Sequence, residues 1–235
     1  MAIFQRYYPE KFSEEQVIVE KKILRHSLFF PIFLVVIIWL FFLFEQVYQF
    51  DFSHLGIYPN KIKGTTGILF SPLIHGSYGH IAANTVPLFL LTFTLFFFYR
   101  KPAYRILFLI YILSGICVWI GGRQAWHIGA SGLIYGLAAF LILSGIIRND
   151  VRLLTISLIV ILIYGGLFWG IFPIKPEISW ESHLWGSISG VVLAIIYRNE
   201  GPPKRIWAWN EDDEEEITEE EPEQTLSDFP ESETK

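Results

Sequence analysis

Six long apolar stretches, at about 27–44, 81–98, 106–122, 131–147, 153–173 and 183–197, decide what this 235-residue chain can become. A helix needs roughly 17–25 apolar residues to cross a bilayer, and most of the runs approach that length, the last being short. Backbone groups at membrane depth have no water to bond, so each run must pair its own N–H and C=O groups as a helix. The pattern predicts an all-α polytopic membrane protein with a six-transmembrane-helix bundle. The first run starts at Ser27, lacks a small-residue cleavage site and is followed by further spans, so it reads as a span rather than a signal. Cys117 is the single cysteine, which rules out an internal disulfide.

The basic residues orient the bundle. Fourteen of the 18 Lys and Arg fall before the first run, between the second and third, between the fourth and fifth, or after the sixth. The other side holds only Lys61, Lys63, Arg123 and Lys175. Lys and Arg accumulate on the cytoplasmic side, so both termini are expected in the cytoplasm. The formal charge of -5 comes from the tail, because 13 of the 23 acidic residues lie in 211–235. The remaining body is basic, as anchoring loops require, and nucleic acid need not be invoked. Three segments follow: a cytoplasmic N-terminal segment 1–26, a six-span domain 27–197, and a cytoplasmic acidic tail 198–235 expected to be disordered. The outer connection at about 46–80 is unusually long and is expected to be a partly ordered element near the interface.

With this topology, spans two, four and six all begin on the outer side. Their first turns carry His80 and Asn84, Ser131 and Tyr135, and His183. Polar groups in membrane helices are costly unless paired or facing water, so their coincidence in one leaflet points to a site. A serine hydroxyl needs a nearby base to act as a nucleophile. His183 is the best candidate for that base and for the later proton donor. No convincing aspartate completes a triad, which favours a Ser–His dyad. His80 and Asn84, four residues apart on one helical face, are candidates to support an oxyanion. Tyr135, one turn below Ser131, is placed to stack on His183. Gly132 and Gly136 on one span, and Gly186 and Gly190 on another, form small-xxx-small faces that allow close helix packing.

Taken singly, each residue has a plainer reading. Ser131 can be a helix cap or spacer, His183 a bonded interfacial residue, and Tyr135 a packing aromatic. His75 reads as a structural hydrogen-bonding residue beneath the outer connection, and His127 as a loop residue near the entrance. His75 and His80 lack metal-ligand spacing, so no metal and no cofactor is expected. Phe168 and Trp169 are candidates for a substrate gate, or for an aromatic belt.

Gly129-Ala130-Ser131-Gly132 with Tyr135-Gly136, then His183 with Gly186 and Gly190, then His75, His80 and Asn84, together resemble the motifs of the rhomboid family of intramembrane serine proteases. The resemblance spans about 27–197. It implies Ser131 as nucleophile, His183 as base and acid, and His80 and Asn84 as oxyanion support. It also implies cleavage of single-span or other transmembrane proteins in or near their membrane segments, with lateral approach beside the fifth helix. The active site would open to the non-cytoplasmic side, and a bacterial cytoplasmic membrane fits the compact six-span form. Membrane lipids are the other expected partner. One departure is the absence of the Trp-Arg pair common in the family's first loop; Tyr58-Pro59-Asn60 and the Lys61/Lys63 region stand there. The competing reading is a noncatalytic membrane protein that binds transmembrane helices as a chaperone or adaptor.

Overall fold

The computed structural model describes residues 14–163, 169–174 and 178–201. The helices among them are α1 (Glu14–Tyr48), the short α2 (Gly67–Phe70), α3 (Tyr78–Tyr99), α4 (Lys101–Gly121), α5 (Ser131–Arg148), α6 (Val151–Ile163) and α7 (Trp180–Ile196). Four are long and apolar enough to cross a membrane: α1 from Val17, α3, α4 from Pro102, and α5. α6 and α7 are described over 13 and 17 residues. The result is an all-helical, largely apolar bundle. α1 is described from Glu14, so residues 14–26 continue the helix of the first apolar run.

Local chemistry ends the helices where hydropathy alone would not. Ser77 has extended backbone angles and its hydroxyl accepts the His80 N–H, capping α3. Asn149, in the left-handed region at φ 53°, closes α5.

α5 is central, packing on α3, α4, α6 and most closely on α7, while α1 packs on α3. It buries Leu133, Ile134, Leu137, Phe140 and Leu141. α1 instead leaves Phe29, Phe33 and Leu40 exposed, as a lipid-facing helix does. Lipid tails are as apolar as leucine, so dispersion contacts and close approach, rather than water exclusion, hold such helices together. Hydroxyls within the bundle fold back on the preceding turn. Thr85, Thr94, Ser187 and Ser189 donate to the carbonyls of Ile81, Leu90, His183 and Trp185 at 2.7–2.9 Å. Each of these four donors is thereby satisfied within its own helix.

The long first connection is packed, not slack. Besides α2 it contains single turns at Ser53–Leu55, Ile62–Gly64 and Ser71–Leu73. The Asn60 N–H donates to the Trp119 carbonyl at 2.9 Å, and Gln124 Nε2 to the Pro59 carbonyl at 3.0 Å. Where the Trp-Arg pair is missing, the Lys63 ammonium sits 4.7 Å from the Tyr58 ring centre and 5.3 Å from that of Trp126. This cation–π contact ties the connection to the loop that precedes Ser131.

Candidate functional site

The closest helix crossing brings Ser131 and His183 together. A Cβ on Gly186 would overlap the carbonyl oxygen of Gly132, and one on Gly190 would overlap that of Gly136. Only glycine lets α7 lie this near α5. Ser131 opens α5, and His183 is in the first turn of α7. The crossing sets Ser131 Oγ 2.8 Å from His183 Nε2.

The other ring nitrogen determines the chemistry. His183 Nδ1 is 2.8 Å from the Gly170 carbonyl oxygen. A carbonyl only accepts, so Nδ1 carries the proton and Nε2 presents its lone pair to the Ser131 hydroxyl. Tyr135 stacks on His183 with centroids 4.1 Å apart and planes 5° from parallel. The ring is thus held on its edge and on one face, with no carboxylate involved. The stack matches the sequence expectation. The Gly170 carbonyl had no sequence signal, because any residue supplies one.

Around Ser131 the loop 122–130 is tightly bound. Gly129 adopts φ 104°, and a Cβ there would lie 2.6 Å from the His80 ring. Its N–H donates to the Ser71 carbonyl at 2.8 Å. The Ala130 N–H points to His75 Nε2 at 3.4 Å, and the His75 and His80 rings meet edge to face at 4.9 Å. His75 therefore has the structural role read from the sequence. Asn84 Nδ2 donates one hydrogen to the His80 carbonyl at 2.9 Å, leaving its second for another acceptor. The first N–H groups of α5 lack intrahelical acceptors and carry the positive end of the helix dipole. Trp169 is 60% exposed; Phe168 lies outside the described residues.

His127 corrects an expectation. It lies in the 122–130 loop but is 1% exposed rather than at an entrance, with its backbone paired to Ile57 in an isolated antiparallel bridge. Its Nε2 donates to the Arg123 carbonyl at 3.0 Å, and its Nδ1 takes a short hydrogen bond from Ser179. This is a second buried serine–histidine pair. The Ser179 oxygen is also 2.7 Å from Ser182 Oγ. Beside it Glu181, 2% exposed, pairs with Arg123 at 3.4 Å, and Arg123 donates to the Ile178 carbonyl at 2.9 Å. These contacts bind the loop before Ser131 to the start of α7, over separations in sequence of about fifty residues that no local motif announces.

A family model for the rhomboid domain matches residues 63–200, which include all of these groups. The chain belongs to the rhomboid family. It is 36% identical over 169 residues to "Uncharacterized protein Rv1337" of Mycobacterium tuberculosis (strain ATCC 25618 / H37Rv), covering 67% of this chain and 70% of that protein. It is 32% identical over 164 residues to "Uncharacterized protein ML1171" of Mycobacterium leprae (strain TN), covering 66% and 64%. A rhomboid fold with buried serine–histidine hydrogen bonds identifies an intramembrane serine protease, integral to a bacterial membrane.

Burial makes this site acid-sensitive. His75 is pushed from its ordinary 6.5 down to about 3, first by desolvation and then by the neighbouring His80. Desolvation also lowers His127. A histidine held neutral in the folded state binds its proton only on unfolding. Between pH 6.5 and 3 the unfolded chain therefore holds more protons, and stability falls as pH falls. For His75 the expected loss at pH 5 is about 2 kcal/mol. The unfolding midpoint in detergent should drop more steeply from pH 7 to pH 5 in wild type than in His75→Gln. Parallel curves would contradict the assignment.

Proposed function

We propose that Ser131 is the nucleophile of this rhomboid protease and His183 its general base and acid. The observation that carries the reading is the Ser131 Oγ–His183 Nε2 hydrogen bond at 2.8 Å, with Nδ1 committed to the Gly170 carbonyl. His183 takes the Ser131 proton as Oγ bonds to the scissile carbonyl carbon, and the carbonyl becomes an oxyanion. His183 then gives that proton to the amide nitrogen as the C–N bond breaks, leaving an acyl ester on Ser131. Water, deprotonated by His183, attacks the ester, and Ser131 recovers its hydrogen. The N–H groups opening α5, the second Asn84 hydrogen and the His80 ring are the proposed oxyanion donors.

His127–Ser179 is the weaker candidate for this chemistry. The Ser179 oxygen already has two partners, His127 and Ser182, and it precedes α7 rather than opening α5 beside His80. Its place between two segments fits a structural tie.

The substrates proposed are single-span or other transmembrane proteins, cut in or near the membrane after their helix unwinds locally. Trp169, with Phe168, is the proposed gate. The proposed topology has six spans over 27–197, both termini and the 198–235 tail in the cytoplasm, and a site opening outward. The Lys and Arg bias supports it. The test is labelling with a fluorophosphonate, which captures an activated serine. Peptide mapping should place the adduct on Ser131, with none in Ser131→Ala and little in His183→Ala. An adduct on Ser179 would reverse the assignment, and no adduct on a folded protein would favour a helix-binding, noncatalytic role.

A further inference from the structure

At the opposite end of α3 from His80, a cavity of about 360 Å³ opens between α1, the end of α3 and the start of α4. Pockets of this size accommodate small ligands. Its lining combines Lys22, His26 and Ser27 of α1 with Phe96, Arg100 and Tyr104, and among the described residues no carboxylate lines it. Lys22 and His26 are one turn apart on the same face. His26 Nε2 is 2.9 Å from the Tyr104 hydroxyl, which fixes both rings at the rim. Ser27 is 1% exposed and its hydroxyl oxygen is closed off from solvent, so what the cavity offers a ligand is the charge of Lys22 and Arg100.

The backbone at Arg100 strengthens the case. It adopts φ 49° and ψ -107°, a conformation suited to glycine, between the end of α3 and the first turn of α4. An arginine held there at a cost of about 1–3 kcal/mol suggests its side chain is needed at that corner. Arg100 also occupies the N-cap of α4 without a side-chain capping bond. The positive end of the α4 dipole therefore faces the same region and favours an anion. Val19 and Ile23 of α1 add apolar lining, and farther along the same helix Phe29 and Phe33 are exposed, as on a lipid-facing surface.

We propose that this cavity binds the headgroup of an anionic phospholipid. The phosphodiester lies between Lys22 and Arg100, and the first acyl carbons run along Val19 and Ile23 of α1. A cationic recess with an apolar exit at a helix-bundle boundary is the shape such a lipid fits.

The experiment uses the full chain in detergent. Phosphatidylglycerol, phosphatidylcholine and inorganic phosphate are titrated separately, and binding is read by native mass spectrometry and by the thermal midpoint. Phosphatidylglycerol is expected to bind and raise the midpoint, with phosphatidylcholine and phosphate giving neither effect. Removing both charges in K22Q/R100Q should weaken phosphatidylglycerol binding by about 30-fold. The charge-keeping K22R/R100K should retain it, which separates lost recognition from lost folding. Equal binding of the two lipids, unchanged affinity in the folded K22Q/R100Q protein, or a full effect from phosphate alone would each overturn the proposal.

Discussion

Ser131→Ala is expected to reduce cleavage of a reconstituted single-span substrate by at least about 10³-fold, with folding unchanged. The hydroxyl donates one hydrogen bond to His183, and its removal leaves a slightly larger cavity at the mouth of the site rather than an unpaired buried charge. His183→Ala should cost as much, because without the base the hydroxyl stays protonated at neutral pH. Residues that act as a unit give non-additive losses, so S131A/H183A should be no slower than either single variant. The second pair provides the control. Ser179→Ala and His127→Ala remove a tie between the 122–130 loop and α7, and should lower the thermal midpoint while the remaining folded protein still reacts at its serine. Cleavage retained in folded S131A but abolished in folded S179A would move the nucleophile to Ser179.

Gly186→Ala is expected to be nearly as damaging by a different route. The added Cβ would overlap the Gly132 carbonyl, a backbone atom that cannot rotate away. α5 and α7 must then part, at a cost of about 3 kcal/mol or more. The dyad spans the same crossing, and a misplacement of about 1 Å can slow a positioned reaction roughly 10²-fold. Gly132→Ala is the informative contrast. Its Cβ would meet the Ser182 carbonyl at 3.1 Å, a contact that a few tenths of an ångström relieves. It should fold with a loss of about 1 kcal/mol or less. Thermal midpoints and cleavage rates of the two variants check this, and equal behaviour would mean the crossing is looser than described.

What could be read from the residues alone was what periodicity carries. Apolar runs mark helices and their ends, so His80, Ser131 and His183 could be assigned to one end of the bundle before any coordinates. The glycine faces could be paired because i and i+4 share a helix surface, and Tyr135 could be set under His183 by the same spacing. Long-range polar pairing has no such period. Arg123–Glu181 and His127–Ser179 join residues 58 and 52 apart, and their partners depend on how irregular segments turn. His127 shows the same limit: its place in a loop was legible from the residues around it, but its burial as a strut was not. Lys63, Tyr58 and Trp126 likewise meet in a contact that no contiguous motif encodes.

Gly170 links the His183 ring to the irregular segment that carries Trp169. A side chain there would run into the Tyr135 hydroxyl and lie 2.9 Å from His183 Nδ1. Its carbonyl is the acceptor that keeps the proton on Nδ1, and its neighbour is the exposed Trp169. The proton on Nδ1 is thus set by one peptide group of an irregular segment. Displacing that group alone would leave the imidazole free to turn or to carry its proton on Nε2, where it could no longer accept from Ser131.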